Sequence, residues 1–495
     1  MTNYTKRAVA HVGIVLVLSL IAAFFGYLVR VYFARHLTLA EFGLFYAVIS
    51  FLGLFGIFKG FGVDVSLAYF IPRFLSQSKP QDIKNAVSYA AILLLATNLV
   101  FLALVLVFST FLSVHYFKHE SALMVLIFMT LSFFIDSFVL ALKYSFQGLQ
   151  RMMVFSSIDI IRMLLILGIT FLFFNSGYGL LSAVLAYVLT PLLLLCIYLP
   201  LLYAKNHEIF SKNKFFWDAP LFKSLRSYAK HLILLSSMGV LIGYSDRLIL
   251  TLFRSLEEVG IYSAVFPTAM LLWYIPDAIS KVLLPLASEL WSKGLKEELR
   301  KGMELLYRYS LMIILPASFT IFAFSGTILR LFYGPDYAVG ETALKILTIG
   351  IIFYSLHKIN NNIFLGTGNP KINTKILSIG AVTNILLNFL LIPHYGFLGS
   401  AIATCLSFFL MMVIGFYLLK MQKLVDLPVL RWFRILFVSA IFLFAVSYLN
   451  SMISMNLFLK IPFILVVAIL VYIVLLFVTK LLTLSELKVL VRRIM

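Results

Sequence analysis

The chain has 495 residues, of which 62% are apolar and 12% charged, and its mean hydropathy is +1.04. A soluble domain carries about 25% charged residues, so this composition excludes an ordinary soluble protein. The formal net charge of +20 is explained by attraction of basic loops to anionic lipid at the inner leaflet, and it calls for no nucleic-acid partner.

Apolar runs of about 20 residues, each long enough to cross a bilayer as a helix, recur along the chain. They predict an all-α polytopic membrane protein, because the alternation typical of membrane β-barrels does not occur. The first run is too long for a cleavable signal peptide and lacks a small-residue cleavage site. The fourteen predicted spans lie at 11–34, 41–70, 86–110, 122–142, 153–174, 178–203, 231–252, 259–285, 309–329, 341–365, 373–392, 397–419, 435–449 and 461–479.

The sequence contains an internal repeat with a constant offset of 217 residues. The matching pairs include Arg30 with Arg247, Leu39 with Leu256, Glu41 with Glu258, Gly43 with Gly260, and Gly179 with Gly396. Such a repeat predicts two six-helix lobes in the same orientation, related by an axis along the membrane normal. The predicted domains are an N-lobe at 1–204, a basic cytoplasmic linker at 205–230, a C-lobe at 231–420, and two extra helices with a cytoplasmic tail at 421–495.

The distribution of basic residues predicts the orientation of these spans. With the N-terminus inside, the inner segments hold 28 of the 40 basic residues, the outer segments hold 5, and 7 lie within spans. Because basic residues concentrate in cytoplasmic loops, we expect both termini on the cytoplasmic side of the cell membrane.

Charged residues inside the spans are the candidates for function, since a charge in hydrocarbon costs about 3 kcal/mol on insertion scales. Seven basic residues against five acidic ones leave the interior net positive. The predicted substrate-binding cations are Arg30, Arg247, Lys59, Lys281 and Lys358. The predicted polar or ion-coupling residues are Asp64, Asp136, Asp246, Asp277, His357 and Asn361.

Structural explanations compete with function for several of these side chains. Asp159 with Arg162, and Asp277 with Lys281, have helical spacings that allow each pair to neutralise itself. Lys345 lies near the outer end of a span and can reach the interface.

Arg30 and Arg247 have no acid one helical turn away, which leaves two interpretations: both reach the outer interface, or they face each other as a clamp for an anion such as phosphate. The patch around His357 and Asn361 either lines a cavity or joins helices. Lys59 and Asp64 lie in a Gly-rich stretch at which the second span is expected to bend or to pack closely.

The sequence contains no P-loop, no metal-ligand spacing and no nucleophile–base pattern. Cys196 and Cys405 both fall in apolar runs and are best explained as small buried residues. The outer loops are too short to house a catalytic domain. We therefore expect a transporter that has no cofactor, rather than an enzyme.

Four segments resemble the polysaccharide-export flippases, the Wzx-like group of the multidrug/oligosaccharidyl-lipid/polysaccharide (MOP) exporter superfamily. They are YLVRVYFARHLTLAEFGLFYAVISF at 27–51, FQGLQRMMVFSSIDIIRMLLILGIT at 146–170, YSDRLILTLFRSLEEVGIYSAV at 244–265 and FLGTGNPKINTKILSIGAVTNILLNFLLIPHYGFLGSAIAT at 364–404. The resemblance covers the whole chain. It implies two lobes around a central cavity that rock to give alternating access.

The resemblance also implies a substrate: an oligosaccharide on a polyprenyl phosphate or pyrophosphate carrier, moved from the cytoplasmic to the outer leaflet. By position, Arg30 and Arg247 are then the arginines that meet the phosphate. The two extra helices resemble those of the lipid II flippase branch, where they form a groove for the lipid tail. Implied partners are the lipid bilayer and the glycosyltransferases or polymerase of the same pathway, and coupling to H⁺ or Na⁺ is left open.

Two other functions are compatible with the sequence. A cation-coupled multidrug extruder of the same superfamily would have a cavity dominated by acids, whereas basic residues are in excess here. A non-transporting scaffold for envelope assembly would not need Arg30 or Arg247 to be charged.

Overall fold

The computed structural model describes residues 3–426 and 428–483, without the side chains of 3–14, 16, 231–232, 234–236, 278–279, 281–282 and 458. Within this part of the chain every regular element is a helix, which confirms the predicted all-α class. The helices are α1 (Asn3–His36), α2 (Leu39–Phe55), α3 (Val63–Ser76), α4 (Pro80–Phe111), α5 (Ala122–Gly148), α6 (Met152–Asn175), α7 (Leu180–Lys205), α8 (His207–Phe210), α9 (Ala219–Phe253), α10 (Leu256–Met270), α11 (Tyr274–Ser292), α12 (Lys296–Ala323), α13 (Ser325–Phe332), α14 (Glu341–Gly366), α15 (Pro370–Met421), α16 (Val429–Met452) and α17 (Leu457–Val478).

Twelve helical stretches of the described residues are long and apolar enough to cross a membrane. One of them, Pro370–Met421, contains Gly396 in a non-helical conformation, so it holds two segments that correspond to the predicted spans 373–392 and 397–419. The predicted span 231–252 lies in α9, which is not among the twelve. The chain is thus a polytopic helical membrane protein, and the number fourteen stays a prediction.

The second predicted span, 41–70, is not one helix. α2 ends at Phe55, a 3₁₀ turn follows at Gly56–Phe58, and α3 begins at Val63. Gly62 precedes α3 with φ 74°, a left-handed conformation that glycine adopts without a Cβ penalty. The bend expected from the Gly-rich stretch is therefore a complete break in the helix.

Repeat-related residues share their backbone geometry. Gly179 has φ 53° and ψ −132°, and Gly396, its match 217 residues later, has φ 56° and ψ −135°. Side chains disfavour this region of φ/ψ space. α2 and α10 likewise begin at the matched residues Leu39 and Leu256. The duplication seen in the sequence is therefore also present in the local structure.

The helices group into two compact units, Met1–Ser263 and Ala264–Met495. One hydrophobic cluster of the first unit is formed by buried apolar side chains of α3 to α9. In the same unit, α1 packs against α6, and α2 packs against α9. In the second unit α14 packs against α11, α12 and α15.

The structure adds two details on the region of the predicted linker 205–230 and the helices that follow it. The second half of the predicted linker 205–230 is helical, because α9 starts at Ala219, where the Asp218 side chain accepts a hydrogen bond from the Leu221 amide at 3.0 Å. α9 and the first turns of α10 group with the N-terminal helices. The predicted lobes 1–204 and 231–420 and the tail at 421–495 remain predictions.

The two extra helices, α16 and α17, pack against each other, and α16 also packs against α12. Tyr472 on α17 donates a hydrogen bond to the Met312 carbonyl at 3.0 Å. The Trp432 ring of α16 lies 5.8 Å from the ring of Tyr307. These helices therefore belong to the second unit.

Candidate functional site

Three charged side chains meet beside the break between α2 and α3. Lys59 follows the 3₁₀ turn, Asp136 projects from α5, and Arg162 projects from α6. Asp136 accepts a hydrogen bond from the Arg162 guanidinium and another from Lys59 Nζ at 3.5 Å. Lys59 and Arg162 carry two positive charges against one negative charge. We call Lys59, Asp136 and Arg162 the charge cluster, and its net charge is positive.

The broken helix holds Lys59 in place through its backbone. The Lys59 carbonyl, freed from helical pairing, accepts hydrogen bonds from the hydroxyl of Thr97 and from Asn98 Nδ2, the latter at 3.2 Å, both on α4. Lys59 Nζ also lies 3.8 Å from the centroid of the Phe133 ring. An ammonium over an aromatic face is attracted by the ring quadrupole. The Lys59 side chain is 9% exposed, so these contacts replace water around it.

The charge cluster lines a cavity of about 470 Å³ within the first unit. The cavity is bounded by α2, α5, α6, α7 and α9. Its other polar lining residues are Ser132, Tyr187, Thr190 and Tyr244. A cavity of this size with a few convergent polar groups is typical of a binding site for a small molecule or for part of a larger one. Its chemistry suits an anionic group with hydroxyl neighbours.

The helical spacing allowed Asp159 and Arg162 to neutralise each other, but in the structure each forms its ion pair with another residue. Asp159 instead accepts hydrogen bonds from Lys143 Nζ at 2.7 and 2.6 Å, while Arg162 binds Asp136. Residues three apart on a helix diverge by about 60°, so each can meet a different acid or base on a neighbouring helix. Arg162 therefore pairs with Asp136 and lines the cavity.

Arg30 and Arg247 both lie in the first unit and are held by contacts there. Arg30 donates a hydrogen bond to the Ser263 carbonyl at 2.6 Å and stacks 4.1 Å above the Tyr46 ring. Arg247 is 7% exposed, and its guanidinium lies 3.4 Å from the Ser50 hydroxyl. Both arginines interact electrostatically with Tyr46. Whether they act as a clamp for an anion stays a prediction.

The remaining acidic candidates of the first unit are buried. Asp246 is 2% exposed and accepts a hydrogen bond from the Tyr262 hydroxyl at 2.5 Å. Asp64 is 4% exposed in the first turn of α3. An acid at a helix N-terminus is stabilised by the helix dipole. Asp64 also interacts electrostatically with Lys59, so it belongs to the surroundings of the charge cluster.

The second unit contains its own ion pair. Lys358 Nζ on α14 lies 2.9 Å from Asp277 on α11. The predicted partner of Asp277, Lys281, has a side chain outside the described residues. His357 is buried at 1% exposure and Asn361 is half-buried. Asp277 and Lys358 therefore join two helices, an arrangement that the i,i+4 spacing did not indicate.

Other polar side chains of the second unit join helices. Asn362 donates to the Ser280 hydroxyl at 2.6 Å, and Asn384 donates to Thr404 at 3.2 Å. Lys345 pairs with Glu341 at 2.5 Å, one turn away on α14. The bonds of Asn362 and Asn384 are of the kind that hold membrane helices together, whereas the Lys345–Glu341 pair lies within α14.

Arg162, Tyr187 and Tyr244 are lining residues that the sequence reasoning did not select. Arg162 was visible as an intramembrane charge, but its local spacing with Asp159 suggested neutralisation. The two tyrosines have no distinguishing sequence signal, because aromatic residues are frequent throughout the spans.

Comparison with known proteins places this chain in a family. The family model described as polysaccharide biosynthesis protein matches residues 8–291, and a second model, MatE, matches residues 232–390. An uncharacterized membrane protein of Methanocaldococcus jannaschii is 30% identical over 99% of both chains. The "probable low-salt glycan biosynthesis flippase" of Haloferax volcanii is 27% identical over 38% of this chain and 41% of its own length.

Among solved structures, lipid II flippase MurJ in an inward closed conformation has a TM-score of 0.76. It is 16% identical, and the match covers 93% of this chain and 97% of that one. This similarity shows a shared fold. The resemblance noted in the sequence is confirmed, and so is the expectation of a transporter rather than an enzyme. The chain belongs to the polysaccharide biosynthesis protein family and has the helical fold of the MOP exporters.

Proposed function

We propose that this protein is a flippase that moves a polyprenyl-(pyro)phosphate-linked oligosaccharide from the cytoplasmic to the outer leaflet. The observation that supports this proposal best is a cavity inside an apolar helix bundle, whose lining residues include two cations, Lys59 and Arg162, and one acid, Asp136. A phosphate brought to this cluster gains two cationic partners, one of them a guanidinium whose planar fork suits phosphate oxygens. Flippases among the relatives support the same class of substrate.

The physical problem of such a substrate explains the arrangement. A sugar phosphate cannot cross hydrocarbon, whereas its polyprenyl tail need not leave it. The protein must give the head a wet and positive path through alternating access. With the cell interior negative, outward movement of an anion gains about 2.3 kcal/mol per charge per 100 mV, or roughly 5 kcal/mol for a doubly charged head. This potential biases the direction of transport.

The test measures flipping of a fluorescent polyprenyl diphosphate oligosaccharide in proteoliposomes. Flipping is detected as a loss of accessibility to a membrane-impermeant quencher. We expect Lys59→Gln with Arg162→Gln to reduce the rate by at least roughly a hundredfold, since two charge-assisted hydrogen bonds of about 1.5–3 kcal/mol each contribute about 3–6 kcal/mol together. Lys143→Gln is the matched control, because Lys143 is also an ion-paired cation of the first unit but does not line this cavity. Equal rates for the double variant and the control would exclude the proposed role of the cavity.

The predicted arginine clamp is tested in the same assay. Arg30→Ala with Arg247→Ala is expected to abolish flipping while the protein still inserts into the membrane. Normal flipping by this variant would remove both arginines from the substrate path and leave the charge cluster as the phosphate site.

A second candidate, a cation-coupled multidrug extruder, is favoured by the MatE match over residues 232–390 and by the buried acids Asp64 and Asp246. It predicts extrusion of a lipophilic cation driven by an H⁺ or Na⁺ gradient, with loss of transport on replacing these acids. The flippase proposal predicts no cation extrusion. A gradient that accelerates flipping of the glycolipid would instead show that the flippase is ion-coupled.

A further inference from the structure

A second cavity, of about 790 Å³, lies on the first unit between α2, the 3₁₀ turn and α4. It is almost entirely apolar and rich in phenylalanine. We call it the phenylalanine groove, and its aromatic residues are Phe51, Phe55, Phe58, Phe61, Phe101 and Phe108. Phe58 and Phe108 are each 53% exposed, so the groove opens at the surface of the unit.

The phenylalanine groove adjoins the charge cluster through a continuous series of contacts. The ring centroids of Phe55 and Phe101 are 5.2 Å apart, and those of Phe101 and Phe133 are 5.5 Å apart. Phe133 lines the polar cavity, and its ring lies 3.8 Å from Lys59 Nζ. Thr97 lines the groove and bonds the Lys59 carbonyl. An apolar groove and a cationic pocket thus share one wall.

The broken helix accounts for this juxtaposition. Phe55 ends α2, and Phe58 and Phe61 lie between α2 and α3. All three line the groove, while Lys59, between Phe58 and Phe61, lines the cavity. A continuous helix would have directed Phe58 and Lys59 only about 100° apart. The chain departs from helical geometry after Lys59, where Phe61 has φ 44° and Gly62 has φ 74°, and neighbouring side chains of this segment line the two different cavities.

We propose that the phenylalanine groove binds the polyisoprenoid chain of the substrate next to its phosphate, while the charge cluster binds the phosphate. This inference rests on the proposed function and names the site of the lipid tail. The chemistry of the two sites indicates the ligand. A molecule that fills both the cationic cluster and the apolar groove must be an anion attached directly to a long apolar chain. The site lies on α2 and α4, not on the extra helices α16 and α17 that the family resemblance suggested for the tail.

The test uses the full chain in nanodiscs of phosphatidylethanolamine and phosphatidylglycerol. The probe is a long-chain polyprenyl phosphate with a diazirine in the isoprene units nearest the phosphate, and crosslinked peptides are mapped by mass spectrometry. We expect labelling of residues 51–61 and 96–112. Labelling concentrated on α16 or α17 would overturn the proposal.

Two valines of α4 provide a matched pair of variants. Val100 lines the groove and is 61% exposed, whereas Val107 is 76% exposed and does not line it. Val100→Trp fills the groove and removes roughly 60 Å² of apolar contact, which corresponds to about tenfold weaker labelling. Val107→Trp adds the same ring to the same helix and should leave labelling unchanged. Equal labelling of both variants would contradict the proposal.

Two further experiments distinguish specific binding in the groove from contact with bulk lipid, and failure of the groove proposal from failure of the proposed function. A phosphatidylglycerol carrying a diazirine in its acyl chain should be displaced from the groove by unlabelled polyprenyl phosphate. Failure of displacement identifies the groove as an ordinary lipid-facing surface and overturns the proposal. If the wild-type protein flips the lipid but the groove is not labelled, the proposed tail site is refuted and the flippase proposal stands. If the protein neither flips the lipid nor binds polyprenyl phosphate, both proposals are refuted.

Discussion

Removing the acid of the charge cluster is the sharpest test of its energetics. Asp136→Asn leaves Lys59 and Arg162 close together without their shared counter-ion. The Asp136 side chain is 27% exposed and that of Lys59 only 9%. Breaking a buried ion pair costs about 3–5 kcal/mol, and the partial exposure of Asp136 favours the lower value. At about 2 °C per kcal/mol for a unit of this size, the midpoint of thermal unfolding should fall by roughly 6 °C.

The assay is thermal unfolding in detergent, followed by intrinsic fluorescence, for Asp136→Asn alone and in a Lys59→Met background. Because Lys59→Met removes one of the stranded cations, we expect the second substitution to cost at least about 1 kcal/mol less in that background. Asp159→Asn is the control, since the Asp159 side chain is 34% exposed and its loss strands one ion-paired cation, Lys143, so it should cost less than Asp136→Asn. Additive effects of Asp136→Asn and Lys59→Met, or a shift no larger than that of the control, would refute this account of the cluster.

Three further substitutions test the helix contacts and the repeat. Gly43→Ala should lower stability by about 1–3 kcal/mol, because its Cβ would overlap the Leu256 carbonyl, and an unchanged unfolding midpoint would contradict that close contact. Gly396→Ala should cost about 1–3 kcal/mol through backbone strain at φ 56°. The control is Gly168→Ala, at a helical position with nothing within 4 Å, which should be neutral or slightly stabilising. An unfolding midpoint of Gly396→Ala no lower than that of Gly168→Ala would argue against the strain. Thr38→Ala should cost about 1 kcal/mol, because the Thr38 hydroxyl and the Glu41 carboxylate cap the start of α2 reciprocally, and Glu41→Ala combined with it should add little.

Helix class and the approximate position of most spans were predictable, because apolar length is a local property of the sequence. The duplication was also predictable, and the shared conformations of Gly179 and Gly396 show it in the backbone. The complete break after Phe55 was harder to foresee. Glycines allow a break, but the hydrogen bonds from Thr97 and Asn98 that stabilise the freed Lys59 carbonyl come from another helix.

The candidate site was predictable as a set of charges but not as a set of partners. Lys59 and Asp136 were selected because charges in spans are costly, and the structure brings them together. The i,i+3 spacing offered Asp159 as one partner of Arg162, yet Arg162 pairs with Asp136 on α5. Asp277 similarly meets Lys358 on another helix. In a bundle, a side chain has neighbours on several helices, and sequence spacing reports only those on its own.

The central claim is that this protein carries an anionic lipid head through a positive cavity. The most direct measurement compares flipping of two lipids by the wild-type protein: a polyprenyl diphosphate oligosaccharide and a polyprenyl glycoside of the same sugar that lacks phosphate. The account predicts rapid flipping of the first, accelerated by a negative interior potential, and negligible flipping of the second. Equal rates for both lipids, or transport of a lipophilic cation with neither lipid moved, would contradict it.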